Sequence, residues 1–365
     1  MKTKSPDYIA AIREYLDKYA LQIKERYSVY GQAATNEISR YILREGKYIR
    51  PRLFLLTAQL YGADYTPALV QCACSLELFH LFALAHDDII DGDTTRGSLA
   101  SLGCGGKYSN NPKTENRILL GDILYSLAFE TITRADISPD IKIELQKLMI
   151  ETSVITAFGV LKEPLLSGEN FDTIDKLFRL YWQKTGMYTF ASPMAGGYLT
   201  RHENYKRSSK NSNGINNKNS KANSRLENRE IKLLKELGFL WGCAYQLQDD
   251  FNDCRNIKHA NLLDLPAEQA IGNSSHKTKK MTESTASNAN PNDKLLEELF
   301  SNSNTDKEKY GTFENYVTKN ITLLLDKARL TAEKLDLPAN NKQKLIEFAE
   351  LFFYKKRAVV ERQPF

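Results

Sequence analysis

Residues 67–93 read PALVQCACSLELFHLFALAHDDIIDGD, an apolar run that closes on four aspartates. The run is long enough to suggest a membrane span, but Gln71, Glu77 and His80 interrupt it, and a helix buried in a protein core suits it better. No stable membrane insertion is expected. On a helix, Asp87 and Asp91 stand one turn apart on one face, and Gly92 is a natural stop. Carboxylates crowded at a helix C-terminus repel one another and oppose the dipole, so the arrangement calls for a cation. Hard oxygen ligands without cysteine or imidazole partners suit Mg²⁺, which takes one or two carboxylates together with substrate phosphates.

A second cluster, Gln246-Leu-Gln-Asp249-Asp250-Phe-Asn-Asp253, lies far down the chain. Gln246, Asp249, Asp250 and Asp253 follow the i, i+3, i+4, i+7 spacing of one helix face. Phe239, Leu240, Trp241 and Ala244 upstream mark the helix as otherwise buried. A polar stripe on a buried helix needs a partner, and a metal with a diphosphate supplies one. A single DDxxD is weak evidence, since it also fits a solvated face or a cap. Two copies, each closing an apolar helix, form a pair that can clamp one polyanion through several metals.

Outward from the two clusters, apolar residues recur at steps of three and four, beginning with Ile9, Ile12, Leu16, Tyr19, Ile23 and Tyr27. The same spacing predicts helices over 41–59, 69–90, 117–132, 141–160, 174–188, 231–251, 316–335 and about 341–360. No period-two strand stands out, and no fixed-spacing repeat is found. Helix after helix with short links reads as an all-α bundle with its site built from facing helices. Two stretches break the pattern. Residues 202–226 and 270–296 are rich in Asn, Ser and Lys, and both read as flexible polar insertions because helical pattern resumes after each.

The bulk numbers exclude several classes. The chain has 365 residues, 42% of them hydrophobic, enough for a sizeable core. Net charge is +5, and residues 201–230 alone carry eight basic and three acidic side chains. The basic excess therefore sits in one polar segment, and no spread basic face for nucleic acid is expected. Cys72, Cys74, Cys104, Cys243 and Cys254 form no CxxC pair and no zinc spacing. With no apolar leader at the N-terminus, they point to a reducing, cytoplasmic setting.

At this point a set of motifs becomes recognisable. Gly46-Lys47-Tyr48-Ile49-Arg50-Pro51, Glu77-Leu78-Phe79-His80, the first aspartate motif, Gly121-Asp122, Lys184-Thr185-Gly186 and Gln246 through Asp253 stand in order. Together, from about Ile38 to Asp264, they resemble the trans-prenyl diphosphate synthases, which include farnesyl and geranylgeranyl diphosphate synthases. The resemblance implies one helical domain of the isoprenoid synthase type over 1–365 and a homodimer. It implies a Mg²⁺-dependent prenyltransferase using two or three ions. The allylic diphosphate ionises, isopentenyl diphosphate attacks the carbocation, and a proton is lost. A diphosphate pocket wants forked cations. By resemblance, Gly46, Lys47, Arg50 and His80 bind isopentenyl diphosphate, while Arg96, Lys184, Thr185, Gln246 and Lys258 bind the allylic diphosphate. Asp87, Asp91 and Asp249 are the main magnesium ligands and, with Lys184, the catalytic set. Asp88, Asp250 and Asp253 complete or orient the metal shell.

By resemblance, Phe82, five residues before Asp87, is the floor of the prenyl-tail cavity, with Phe79 as a second floor, and the family pattern implies a short-chain, C15–C20, product nearer twenty carbons. The chain also departs from the family pattern. The second of two adjacent arginines falls on Gly97, and one lost charge-assisted contact costs roughly 1.5–3 kcal/mol. The lysine expected just after Asp264 is replaced by Leu265-Pro266-Ala267-Glu268, and the Asp253–Lys258 link is short. Three rival readings stand beside the enzyme: a non-catalytic subunit of a heteromeric synthase, a terpene cyclase or squalene-type synthase, and a helical scaffold. The intact second DDxxD and the Gly46–Pro51 motif favour the prenyl synthase.

Overall fold

Asp7 opens the first helix, α1 (Tyr8–Ile42), by accepting the Ala10 N–H at 3.1 Å, which satisfies one of the orphan donors of a helix start. A computed structural model describes residues 7–96, 98–108, 113–166, 174–202, 220–256 and 313–353. α1 kinks at Gly31 and is followed by α2 (Ile49–Leu60) and α3 (Pro67–Ile90). Thr66 caps α3 by accepting the Leu69 N–H at 3.2 Å, with Pro67 at its first position, where the missing N–H costs nothing. α4 (Thr114–Arg134), α5 (Pro139–Leu166) and α6 (Ile174–Tyr181) come next. A π-helical segment (Trp182–Ala191) runs straight into α7 (Ser192–Leu199), and α8 (Ser220–Asn256), α9 (Phe313–Glu333) and α10 (Ala339–Glu350) complete the described chain.

The all-α reading holds, with local corrections. The helix expected over 41–59 is two helices, because α1 ends at Ile42 and α2 starts at Ile49. Between them the backbone passes through Tyr48 in the left-handed region, φ 49°. Pro51 sits in the first turn of α2, the only helical place a proline fits without breaking a hydrogen bond. The helix expected over 174–188 changes to π winding at Trp182. Two two-residue strands, β1 (Thr95–Arg96) and β2 (Leu99–Ala100), pair antiparallel where none was expected. Of the two polar insertions, the first is shorter than its composition suggests, since α8 already begins at Ser220. Residues 203–219 and all of 270–296 lie outside the described residues.

The chain divides into two compact units. Unit 1 takes in residues up to Met149 and the segment from Pro193; unit 2 takes in Ile150–Ser192 and the helices after residue 217. In unit 1, α3 is the central helix, packed by α1, α2 and α4. Ala73, Cys74 and Leu78 of α3, Leu53 and Leu55 of α2, and Leu124 and Ala128 of α4 are fully buried there. α4 approaches α3 closely because position 121 is glycine: a Cβ there would stand 2.4 Å from His86 Nε2. α3 is also the one helix among the described residues apolar and long enough to cross a membrane, and 67% of its most apolar window is buried in the protein. That burial matches the core helix read from Gln71, Glu77 and His80.

In unit 2, α8 lies against the π segment and α9. A Cβ at Gly242 would be 2.2 Å from the Gly186 Cα, and one at Gly238 would be 2.5 Å from Ala191. Only glycine permits two backbones this near. Polar ties hold the other side: Thr331 Oγ1 donates to Glu236 at 2.9 Å, and the Asp336 N–H donates to Glu230 at 2.8 Å.

Candidate active site

The C-terminal turn of α3 carries the first aspartate motif. Asp91 is its C-cap and exposed, Asp87 is about one-third exposed, and Gly92 turns the chain away at φ 74°. Asp88 points the other way and is fully buried. Arg96, carried on β1, binds Asp88 Oδ1 through Nε at 2.7 Å and Asp87 Oδ2 through Nη2 at 3.0 Å. The short β ladder thus has a purpose that the alternation test could not reveal: it brings Arg96 back to the helix it follows. Arg117 of α4 fixes the same loop, donating to the backbone carbonyls of Asp88 at 3.1 Å and Asp93 at 2.5 Å.

One turn and more up α3, aromatic rings stack beside the carboxylates. Phe82 lies 4.6 Å from the His86 ring, 4.9 Å from Tyr125 and 5.5 Å from Phe79. Tyr125 in turn meets Phe129 at 5.0 Å. Phe79 and Phe82 were read from α3 alone; Tyr125 and Phe129 join them from α4. Their signal was the four-residue spacing from Gly121, which puts all three on one face of α4.

The residues of the Gly46–Pro51 motif gather around the middle of α3. Gly46 and Lys47 are exposed on the link, while Arg50 is buried at the start of α2. A Cβ on Gly46 would come within 3.3 Å of Glu77 Oε1, so the glycine lets the link close over that carboxylate. Glu77 is 5% exposed, and its Oε2 is buried without a hydrogen bond. Burial pushes its carboxyl up to about 7, against the pull of the Arg50 and Arg44 guanidiniums. His80, one turn on, is held well below its usual value by burial and then by Arg50, Arg96 and Arg44. The charges of three guanidiniums therefore act on a neutral imidazole, a setting that favours an anion. Arg44 was not among the residues singled out from the sequence, though it opens the run Arg44-Glu-Gly-Lys47-Tyr-Ile-Arg50.

Unit 2 carries its own set. Lys184, Thr185 and Gly186 lie in the π segment, a winding that is rare and often marks functional sites. Its signal was Pro193, which has no N–H to give and stands just beyond the segment. The Ser192 N–H bonds the Met187 carbonyl, five residues back. Thr185 Oγ1 donates to Gln246 Oε1 at 2.7 Å, and Asp249 follows Gln246 by three residues, exposed on α8. Asp250 and Asp253 lie on the same helix. Lys258, Gly97 and residues 265–268 lie outside the described residues.

The donor set can be tested for a magnesium ion. Among the described residues, no three Asp, Glu, His or Cys side chains form a ready cage. Mg²⁺ does not require one, since it retains waters and shares substrate phosphate oxygens. Asp87, Asp91 and Asp249 fit that demand, being carboxylates open to solvent. Asp88 does not fit as a direct ligand: it is enclosed and bound to Arg96.

A family model described as polyprenyl synthetase matches residues 32–310. A short chain isoprenyl diphosphate synthase of Methanothermobacter thermautotrophicus is 26% identical over 243 residues, 66% of this chain and 65% of that protein. The chain thus spans just under two thirds of that relative's length. A farnesyl diphosphate synthase of Geobacillus stearothermophilus is 25% identical over 258 residues, 67% of this chain and 75% of that protein. The fold is similar to the crystal structure of geranylgeranyl pyrophosphate synthase from Corynebacterium glutamicum, complexed with isoprenyl diphosphate and magnesium, at a TM-score of 0.64 and 17% identity, covering 94% of this chain and 99% of that one. At that identity the likeness is one of fold, the helical isoprenoid synthase type. With ordered motifs, this fold and a family model that covers most of its length, the chain belongs to the polyprenyl synthetase family.

Proposed function

We propose that the chain is a Mg²⁺-dependent prenyltransferase that condenses isopentenyl diphosphate with an allylic prenyl diphosphate to give a short-chain trans-prenyl diphosphate. One observation carries the reading: part-exposed Asp87 and exposed Asp91 close a helix whose preceding turns are walled by aromatic rings, with Phe82 packed on His86 at 4.6 Å. A charged head and an apolar tail side by side describe a prenyl diphosphate. Lys47, Arg50 and His80 bind the diphosphate of isopentenyl diphosphate through charge-assisted hydrogen bonds. Lys184, Thr185 and Gln246 bind the allylic diphosphate, the Thr185–Gln246 bond fixing which amide group faces it. Asp87 and Asp91 are the magnesium ligands of unit 1 and Asp249 that of unit 2, with Asp250 and Asp253 belonging to the same ligand set. Bound magnesium supplies positive charge for the departing diphosphate. The rings of Phe79, Phe82, Tyr125 and Phe129 keep water from the allylic cation and offer it their π faces. The released diphosphate is the base that takes the proton.

The homodimer belongs to the same proposal, with a second copy of this chain as the partner. Ile143, Ile150, Val154, Phe158 and Leu161 form one stripe along α5 and are each about half exposed or more, an apolar line of the kind that partners cover. The cytoplasmic setting rests on buried thiols at Cys74, Cys104 and Cys243.

The test is direct: purified chain, Mg²⁺, isopentenyl diphosphate and allylic primers of increasing length, with products separated by chain length. A prenyl diphosphate longer than its primer, lost on chelating the metal, is the expected result. No product with any primer would overturn the catalytic reading and favour a non-catalytic subunit.

A further inference from the structure

Arg44, in the link between α1 and α2, is half-buried. Its Nη1 is buried and takes part in no hydrogen bond, and its guanidinium lies over the Tyr41 ring, 4.9 Å from the centroid. No described carboxylate forms an ion pair with it. Its charge acts on Glu77, whose Oε2 is likewise buried without a hydrogen bond. A guanidinium so placed keeps its charge at any working pH and has donors to spare. It is held on one side by an aromatic face, and its charge, like those of Arg50 and Arg96, acts on His80. Of those two, Arg96 is spent on Asp87 and Asp88. The anion site on this side of α3 would otherwise rest on Arg50 and the exposed Lys47.

The sequence supplies the reason a further cation is wanted. Where the resemblance expects a second arginine after the aspartate motif, the chain has Gly97. Removing one charge-assisted donor from a diphosphate site weakens binding by an order of magnitude or more. Arg44 is a cation of the same chemistry, delivered from the link between α1 and α2. Tyr48 helps hold that link: it adopts the left-handed conformation, its ring is buried, and its hydroxyl donates to the Arg44 carbonyl at 3.5 Å.

We infer that Arg44 is a substrate-binding residue of this chain, a donor to the diphosphate of isopentenyl diphosphate that takes over the charge missing at Gly97. The inference rests on the functional reading above.

A double-mutant cycle tests it, read by calorimetric binding of isopentenyl diphosphate to the full chain and by steady-state kinetics. Arg44→Gln is expected to weaken isopentenyl diphosphate binding about tenfold or more, with kcat and the KM for the allylic substrate changed by no more than about twofold. Gly97→Arg is expected to tighten binding more in the Arg44→Gln background than in the wild type, because the two cations serve one anion. Equal effects of Gly97→Arg in both backgrounds would overturn the inference, as would an Arg44→Gln protein that binds like the wild type. Should Arg44→Gln fail to fold, Arg44→Lys keeps the charge but not the fork, and must still weaken binding measurably; unchanged binding overturns the inference. A wild type that binds no isopentenyl diphosphate at all would remove the functional reading itself, a result distinct from either of these.

Discussion

Glu77 shows how a single side chain can be misread from sequence. In the run Glu77-Leu-Phe-His80 it reads as a polar interruption of an apolar helix; in the structure it is a carboxylate buried under the Gly46 link and faced by Arg50 and Arg44. Its carboxyl rises from 4.5 to about 7 on folding, which favours the protonated form in the folded state. Its contribution to stability is therefore full below about pH 4.5 and is lost as pH rises through about 7. The size of that loss is roughly 3 kcal/mol. Glu77→Gln lacks the titration, so its stability relative to wild type should improve by up to roughly 3 kcal/mol between about pH 4.5 and pH 8. Urea unfolding of both proteins across that range checks this. A constant difference at all pH values would mean that Glu77 ionises in the folded protein as it does in the unfolded chain. Asp88 makes the same point in reverse: the motif groups it with Asp87 and Asp91, yet burial and Arg96 give it a different task.

Among the elements, the contact between the π segment and α8 is the tightest and the least visible beforehand. Nothing in the apolar spacing distinguished Gly186, Gly238 and Gly242 from ordinary helix residues. The structure shows that they let the two backbones meet, and the meeting aligns Thr185 with Gln246 at 2.7 Å. Gly242→Ala places a methyl 2.2 Å from the Gly186 Cα, and neither backbone can yield without moving its helix. The expected cost is about 2–3 kcal/mol, a fall in Tm of roughly 3–4 °C for a chain of this size. Its KM for the allylic substrate should rise as well. Gly31→Ala is the control: its added Cβ meets nothing nearer than 3.7 Å, and its Tm should stay within a degree or two of wild type. Equal losses in the two variants, followed by scanning calorimetry, would argue against close packing as the role of Gly242.

At the scale of the whole molecule, the stripe on α5 is where the proposed dimer would form. Phe158 is 56% exposed in mid-stripe, and Phe158→Glu puts a charge where a partner's apolar surface would lie. Sedimentation should find the wild type at twice the chain mass and the variant at the chain mass, both retaining helical circular dichroism. A wild type already monomeric would leave the stripe unexplained by a dimer. What the sequence alone determined is the helical class and the family, because both rest on spacing along single helices, and three- to four-residue periodicity survives without knowledge of neighbours. What only the tertiary structure decided is which members of a motif face outward and which turn inward. It alone split the 41–59 helix, wound the 182–191 segment as π, returned Arg96 to Asp88 and set Arg44 beside His80. Those outcomes depend on burial and on charges from other elements, and neither is written in the local order of residues.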